Sequence, residues 1–266
     1  MISLTWNEVI FLYDGTFDGF ICCVYESYTY KEFPVSFADS GESDPISFYP
    51  VRHIQTNAAH AQRVLRSLDW LDRNMLSLLY RAFLTCMPNK EIHLYALIRK
   101  LYQDGISFLN NPSDDTYYPV AKALRHLSGE LEKLRGFIRF SDYSGVLVAE
   151  IEPKNRVLPL LSPHFCNRYA NEQFVIFDRI HHEALVYSAG QHKIISMDSL
   201  QLNSPDQQEI CYRTLWRKFY ETIEIKERHN PKCQNAFLPK RYRKVMTEFQ
   251  WPETAPCISS HEIISL

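Results

Sequence analysis

The chain has 266 residues, 45% hydrophobic and 14% aromatic, enough for a large core in one domain or in two closely packed ones. Only eight glycines and fourteen prolines exclude a low-complexity chain, and no apolar run approaches the length of a membrane-spanning helix. The net charge of −2 is segregated: the first fifty residues hold eight acids against Lys31 alone, while residues 212–244 hold ten Lys and Arg against three Glu, a local +7.

Residues 6–13 (WNEVIFLY) predict a buried strand closed by the turn Asp14-Gly15-Thr16. Thr16 or Asp18 then caps a helix over 17–28. Residues 31–45 are polar and rich in turn formers and predict a loop. Residues 48–55 predict a second strand, placed at an edge by Pro50. From 57 to 133 the apolar spacing is helical. Asn57 caps a helix bearing Ala61, Val64, Leu65, Leu68 and Leu71. Leu76, Leu79, Tyr80, Phe83 and Leu84 mark a second, ended by Pro88. Asn89 and Gly105 bound a third, and residues 118–133 form a fourth.

The period changes to two near Arg135. Strands at 136–140 and 146–151 flank the loop DYSG, and PLLSPHFCNRYAN reads as a short helix. Residues 174–177 and 184–187 form a hairpin, and 192–197 add a strand. Ser204-Pro205-Asp206-Gln207 opens a helix that continues into the basic region. The fold class is mixed α/β: a helical middle subdomain, a largely antiparallel sheet and a C-terminal helical basic segment. The chain reads as a single compact unit with subregions 1–56, 57–133, 134–200 and 204–250.

Segregated charge makes a field that attracts a polyanion or an oppositely charged partner. In the basic region Tyr212, Leu215, Trp216, Phe219 and Ile223 share one helical face, with Arg213, Arg217 and Lys218 mainly off it. A solvated basic face explains any one of these charges. The following RHNPKCQNAFLPKRYRK mixes cations with amides and a Tyr, which adds phosphate contacts, base hydrogen bonds and stacking to what the segment offers. The candidate phosphate contacts are Arg213, Arg217, Arg228, Lys240, Arg241 and Arg243, with Asn230 and Tyr242 for closer contacts. On the strand at 136–140, Arg139 faces Val148 with no acid opposite and joins the set. Phe137 faces Glu150, and Arg135 faces Glu152 as an ordinary cross-strand pair.

Several other acids could serve as a base, but none is marked by its neighbours; the catalytic candidates singled out are Asp14 and Asp18, which stand at a strand end and a helix start. Two acids there can hold Mg²⁺, and helix capping explains both without it. The seven cysteines are odd in number and scattered, with no CxxC, which predicts a reduced cytoplasmic protein without an iron–sulfur centre. The start of the chain lacks the features of a signal peptide. The histidines lack ligand spacing, so no metal or cofactor is expected. No GxSxG, HExxH, GxGxxG or P-loop is present.

Four segments together resemble a known bacterial family: residues 13–28, 61–68, 134–165 and 215–244. They carry the motifs RGFIRF, IEP, VLPLLSPHF and R-x-N-P followed by LPKRYRK. The family is a domain of unknown function connected with DNA metabolism or DNA repair and linked to a separate radical-SAM protein similar to spore photoproduct lyases. Related domains also occur fused to a uracil-DNA-glycosylase-like domain. The resemblance implies a DNA-repair role beside that radical-SAM protein and supplies no catalytic residues. Where family members tend to carry a Trp after Arg-Tyr, this chain has Arg243. A radical-SAM enzyme needs three clustered cysteines, which are absent here, so this chain reads as the accessory. Three functions compete: a non-catalytic DNA-binding or partner-recruiting subunit, a glycosylase- or nuclease-like enzyme using Asp14, Asp18 or another acid with the basic segment as substrate clamp, and a protein scaffold whose acidic and basic faces pack together. The expected partners are DNA and the radical-SAM protein, with no membrane.

Overall fold

The computed structural model describes residues 6–41, 47–202, 205, 207–223, 225 and 230–249. The chain divides into two units. One runs through Glu130 and takes in Lys154–Arg156; the other holds Leu131–Pro153 and the residues from Val157 on. Among the described residues no helix is long and apolar enough to cross a membrane.

In the first unit, β1 (Asn7–Tyr13) is apolar and buried over its last five residues. Thr16 caps α1 (Phe17–Tyr30), its hydroxyl accepting from Gly19 N at 3.0 Å. The helix ends where Lys31 turns left-handed at φ 56°. The chain then returns as β2 (Glu32–Asp39), parallel to β1, so the loop expected at 31–45 is a strand over most of its described part. It lies at an edge in the order β2-β1-β3, and Pro34 alone among its residues is buried, so it carries little apolar signal. Pro34 sits beside a register shift that leaves Val35 unpaired, an arrangement an edge tolerates. The third strand, β3 (Val51–His53), is the other edge, as Pro50 predicts, but it is three residues long.

The helical middle is present as α2 (Ala58–Leu71), α3 (Met75–Phe83), α4 (Lys90–Asp104) and α5 (Tyr117–Phe137), with a 3-10 turn at Ser107–Asn110. The side chain of Asn57 accepts from Ala59 N and His60 N, as its N-cap position requires. Gly105, at φ 70°, follows α4. α3 stops well before Pro88, because the carbonyl of Leu84 accepts from Arg156 N at 2.9 Å and the turn that follows bonds to Asn155.

The larger correction is α5. It runs to Phe137, past the expected end at Lys133 and into the segment expected as a strand. Leu127, Leu131, Leu134 and Ile138 are all buried at helical spacing, so the apolar face continues one turn further. The hairpin is correspondingly short: β4 (Ser141–Tyr143) pairs with β5 (Val146–Ile151), and Ser141, not Arg139, faces Val148. Ser144 and Gly145 both have positive φ, the signature of a two-residue type I′ turn. Arg135 pairs with Glu132 one turn back on α5 at 2.6 Å, and Glu150 and Glu152 bond to Arg179.

The second unit is built on a five-stranded sheet in the order β4-β5-β6-β7-β8. α6 (Leu158–Arg168) joins β5 to β6 (Gln173–Asp178), which lie parallel; β7 (Glu183–Ser188) and β8 (Gln191–Ser196) complete antiparallel pairs. Ala189 and Gly190 repeat the positive-φ turn. The basic region supplies α7 (Gln207–Thr222), α8 (Pro231–Phe237) and α9 (Lys240–Arg243). Ser204 and Asp206, the expected start of that helix, lie outside the described residues.

Candidate nucleic-acid interface

Only part of the basic set is free to meet a ligand. Arg139 follows α5 and is committed internally. Its Nε and Nη2 reach Glu248 Oε1 at 3.1 and 3.0 Å, and its Nη1 donates to the carbonyls of Gly136 and Ile138. Tyr242 is buried on the ring of Phe137, 5.5 Å between centroids, and takes a hydrogen bond from Arg241, whose guanidinium lies over the Tyr242 ring. Arg243 donates to Asn235 Oδ1 and the Leu238 carbonyl and lies over Phe249. Asn230 caps α8, accepting from Cys233 N at 3.1 Å. Lys240 is exposed, Arg217 is half-buried on α7, and Arg228 lies outside the described residues. The segment KRYR is thus largely a clamp on its own unit.

A different part of the basic region is open. The apolar face of α7 is open: Tyr212 is 59% exposed, Phe219 52% and Ile223 57%, with Leu215 and Trp216 near 40%. Trp216 and Phe219 stack at 5.6 Å. The buried side of α7 is the neighbouring one, where Glu209 anchors the helix to the sheet. Its Oε2 accepts from Asp142 N, its Oε1 takes Arg213 Nε at 2.7 Å, and Arg213 Nη2 donates to Ser141 Oγ at 2.6 Å. A pattern of apolar residues at helical spacing cannot say which adjacent stripe is covered; here the ion pair decides it.

Beside this stripe lies a cleft of about 510 Å³. Its walls are Ile138, Arg139 and Phe140 after α5, Leu147 of β5, Arg168 and Tyr169 at the end of α6, and Glu209, Tyr212, Arg213 and Trp216 of α7. Arg168 is exposed and stands 5.8 Å from the centre of the Tyr169 ring. The Arg139 guanidinium lies 5.8 Å from the Trp216 ring. Arg168 and Tyr169 were not legible as site residues; the available signal was a cation in the last turn of a helix followed by an aromatic. Partial burial, with Arg135 and Arg168 nearby, pushes the imidazole of His164 on α6 below its ordinary value, which keeps it neutral at pH 7.

Asp14 and Asp18 belong to the first unit and the cleft to the second. Asp14 Oδ1 accepts from Thr16 N and Oγ1, and its Oδ2 accepts from Thr56 Oγ1 at 2.6 Å. Slight burial disfavours its charge, but these hydrogen bonds win and hold the carboxyl below its usual value. A Cβ on Gly19 would stand 2.2 Å from Asp14 Oδ1, so only glycine fits there. Asp18 lies exposed in the first turn of α1, where an acid complements the helix dipole. Among the described residues no three His, Cys, Asp or Glu are grouped to hold a metal ion.

These features define a mixed α/β protein with an arginine- and aromatic-lined cleft in its sheet-bearing second unit. The chain belongs to the DUF4130 family, a domain of unknown function, whose model matches residues 88–248. The match takes in α4, α5 and every residue named in the cleft. No curated protein matches the chain.

Proposed function

We propose that this chain is a nucleic-acid-binding accessory protein of DNA repair or DNA metabolism, acting in the cytoplasm beside a separate radical-SAM enzyme. The observation that carries the reading is the cleft, where Arg168 and Arg213 stand beside the exposed rings of Tyr212 and Trp216. Guanidinium groups neutralise phosphates and exposed rings stack on bases, the two elements of single-strand binding. The segments that carry the family resemblance supply the walls: RGFIRF gives Ile138, Arg139 and Phe140, the helix of VLPLLSPHF leads to Arg168, and LWRK begins with the exposed stripe. Six cysteines among the described residues are free thiols, in keeping with a reducing compartment.

Each phosphate neutralised on a single strand adds about −0.7 to the slope of log affinity against log salt, so Arg168 and Arg213 together give a slope near −1.4. Fluorescence anisotropy of a labelled single-stranded oligonucleotide across a salt series measures it. No binding at low salt, with or without the radical-SAM partner, removes the proposal. A second reading has its own observation: Leu215 and Ile223 are exposed on α7 and add little to base stacking, but they suit a protein surface, here the radical-SAM partner. Salt-insensitive association with that enzyme, lost on Leu215→Asp, distinguishes this reading.

A further inference from the structure

We infer that the groove between α3 and α5 of the first unit binds a small organic phosphate, with the phosphate at one end and an apolar body along the floor. This is independent of the nucleic-acid reading, whose cleft lies in the second unit. The groove is open to solvent and has a volume of about 880 Å³. At one end Arg81, in the last turn of α3, donates through Nη2 to Ser128 Oγ of α5 at 2.8 Å, a bond that crosses the groove and bounds it. Arg125 lies one helical turn before Ser128, so both guanidiniums stand at this end. Among the described residues the Arg81 side chain makes no other hydrogen bond or ion pair, and the Arg125 side chain makes none.

The Ser128 hydroxyl accepts from Arg81, which leaves its own proton to donate. Every group at this end is thus a donor, and no Asp or Glu lines any part of the groove. Such a lining attracts an anion and repels a cation. Two guanidiniums around one hydroxyl match a phosphate monoester, with its charge of about −1.5 to −2 at pH 7 and three acceptor oxygens; one guanidinium fork already fills a carboxylate. Away from that end the lining turns apolar. Leu78 lies one turn back on α3, Leu124 and Ala121 lie one and two turns back on α5, and Leu109 comes from the 3-10 turn before α5. All four are half-buried, so each still presents surface to the groove. A bare anion leaves that surface wet and a neutral apolar molecule leaves the guanidiniums unused. A ligand that carries both parts satisfies both ends.

The test compares three probes on the full chain by ligand-observed NMR: phenyl phosphate, inorganic phosphate and benzoate. Phenyl phosphate is expected to bind about tenfold or more tighter than inorganic phosphate, the gain from covering a ring-sized apolar body, and tighter than benzoate. Arg125→Gln should weaken phenyl phosphate by about tenfold through lost charge-assisted hydrogen bonds, and should leave the melting temperature unchanged because Arg125 holds nothing in the fold. Ala121→Phe, which fills the apolar part, should bring phenyl phosphate to the inorganic value; circular dichroism checks its fold. Arg168→Glu, in the other unit, should change none of these affinities. The inference is overturned by failure of phenyl phosphate to bind at millimolar concentration, by equal or tighter binding of inorganic phosphate or benzoate, or by phenyl phosphate binding that Arg125→Gln leaves unchanged or Arg168→Glu removes. Each of those results leaves the nucleic-acid proposal to its own oligonucleotide assay.

Discussion

Replacing Arg139 by alanine should lower stability by about 3–5 kcal/mol, the cost of stranding one member of a buried ion pair. Glu248 has a side chain only 2% exposed, and Arg139 is the ion-pair partner the structure gives it. Its Oε2 has no hydrogen-bond partner among the described residues, so it has little to fall back on. The same substitution frees the carbonyls of Gly136 and Ile138 after α5. Urea denaturation checks this through the midpoint at constant slope. The double variant Arg139→Ala, Glu248→Ala should recover part of the loss, because the stranded charge goes with its partner. An Arg139→Ala protein of unchanged stability that has lost only DNA affinity would return Arg139 to the phosphate-contact set.

Asn155→Ala should cost about 2–4 kcal/mol through a second buried network. Asn155 is fully buried. Its Nδ2 donates to Glu130 Oε2 at 2.6 Å and its Oδ1 accepts from Cys86 N at 2.9 Å. Glu130, itself buried, also accepts from Lys154 N and Asn155 N. One side chain therefore ties the chain after α3, the loop 154–156 and α5. Truncation removes the partner of a backbone N–H and one donor to a buried carboxylate. At about 2–4 °C per kcal/mol for a chain of this size, the melting temperature should fall by roughly 4–16 °C. The motif IEPKN is on this account a structural device, and DNA affinity measured below the transition should not change.

Much of the fold was legible because local rules and tertiary contacts agree. Thr16, Asn57 and Gly105 stand at helix ends where their chemistry places them. The β6–β7 hairpin follows from apolar runs around DRIHHE. The failures share a cause. β2 reads as a loop because an edge strand with a proline needs little apolar signal. GFIRF reads as a strand because Arg and Phe alternate over a short window, while the longer helical period of Leu127, Leu131, Leu134 and Ile138 governs the backbone as far as Phe137. The site was legible as a charge excess and not as a geometry. Arg139 is held by Glu248, 109 residues away in sequence, and by nearby carbonyls, and Arg243 by Asn235 and the Leu238 carbonyl; composition cannot see a committed donor. Arg168 and Tyr169 join the cleft only because α6 crosses between two parallel strands and ends beside α7.

The proposed phosphate contact is that of the exposed Arg168, and one charge reversal tests it. Single-strand affinity is measured by anisotropy at several salt concentrations for the wild type, Arg168→Glu and Arg243→Glu. Arg168→Glu should flatten the salt slope by about 0.7 or more, the share of one phosphate on a single strand, and leave the melting temperature within about 2 °C. Arg243→Glu should lower the melting temperature, because that guanidinium bonds to Asn235 and Leu238. A slope that Arg168→Glu leaves unchanged and Arg243→Glu flattens would contradict the cleft and return the DNA contact to the C-terminal basic segment.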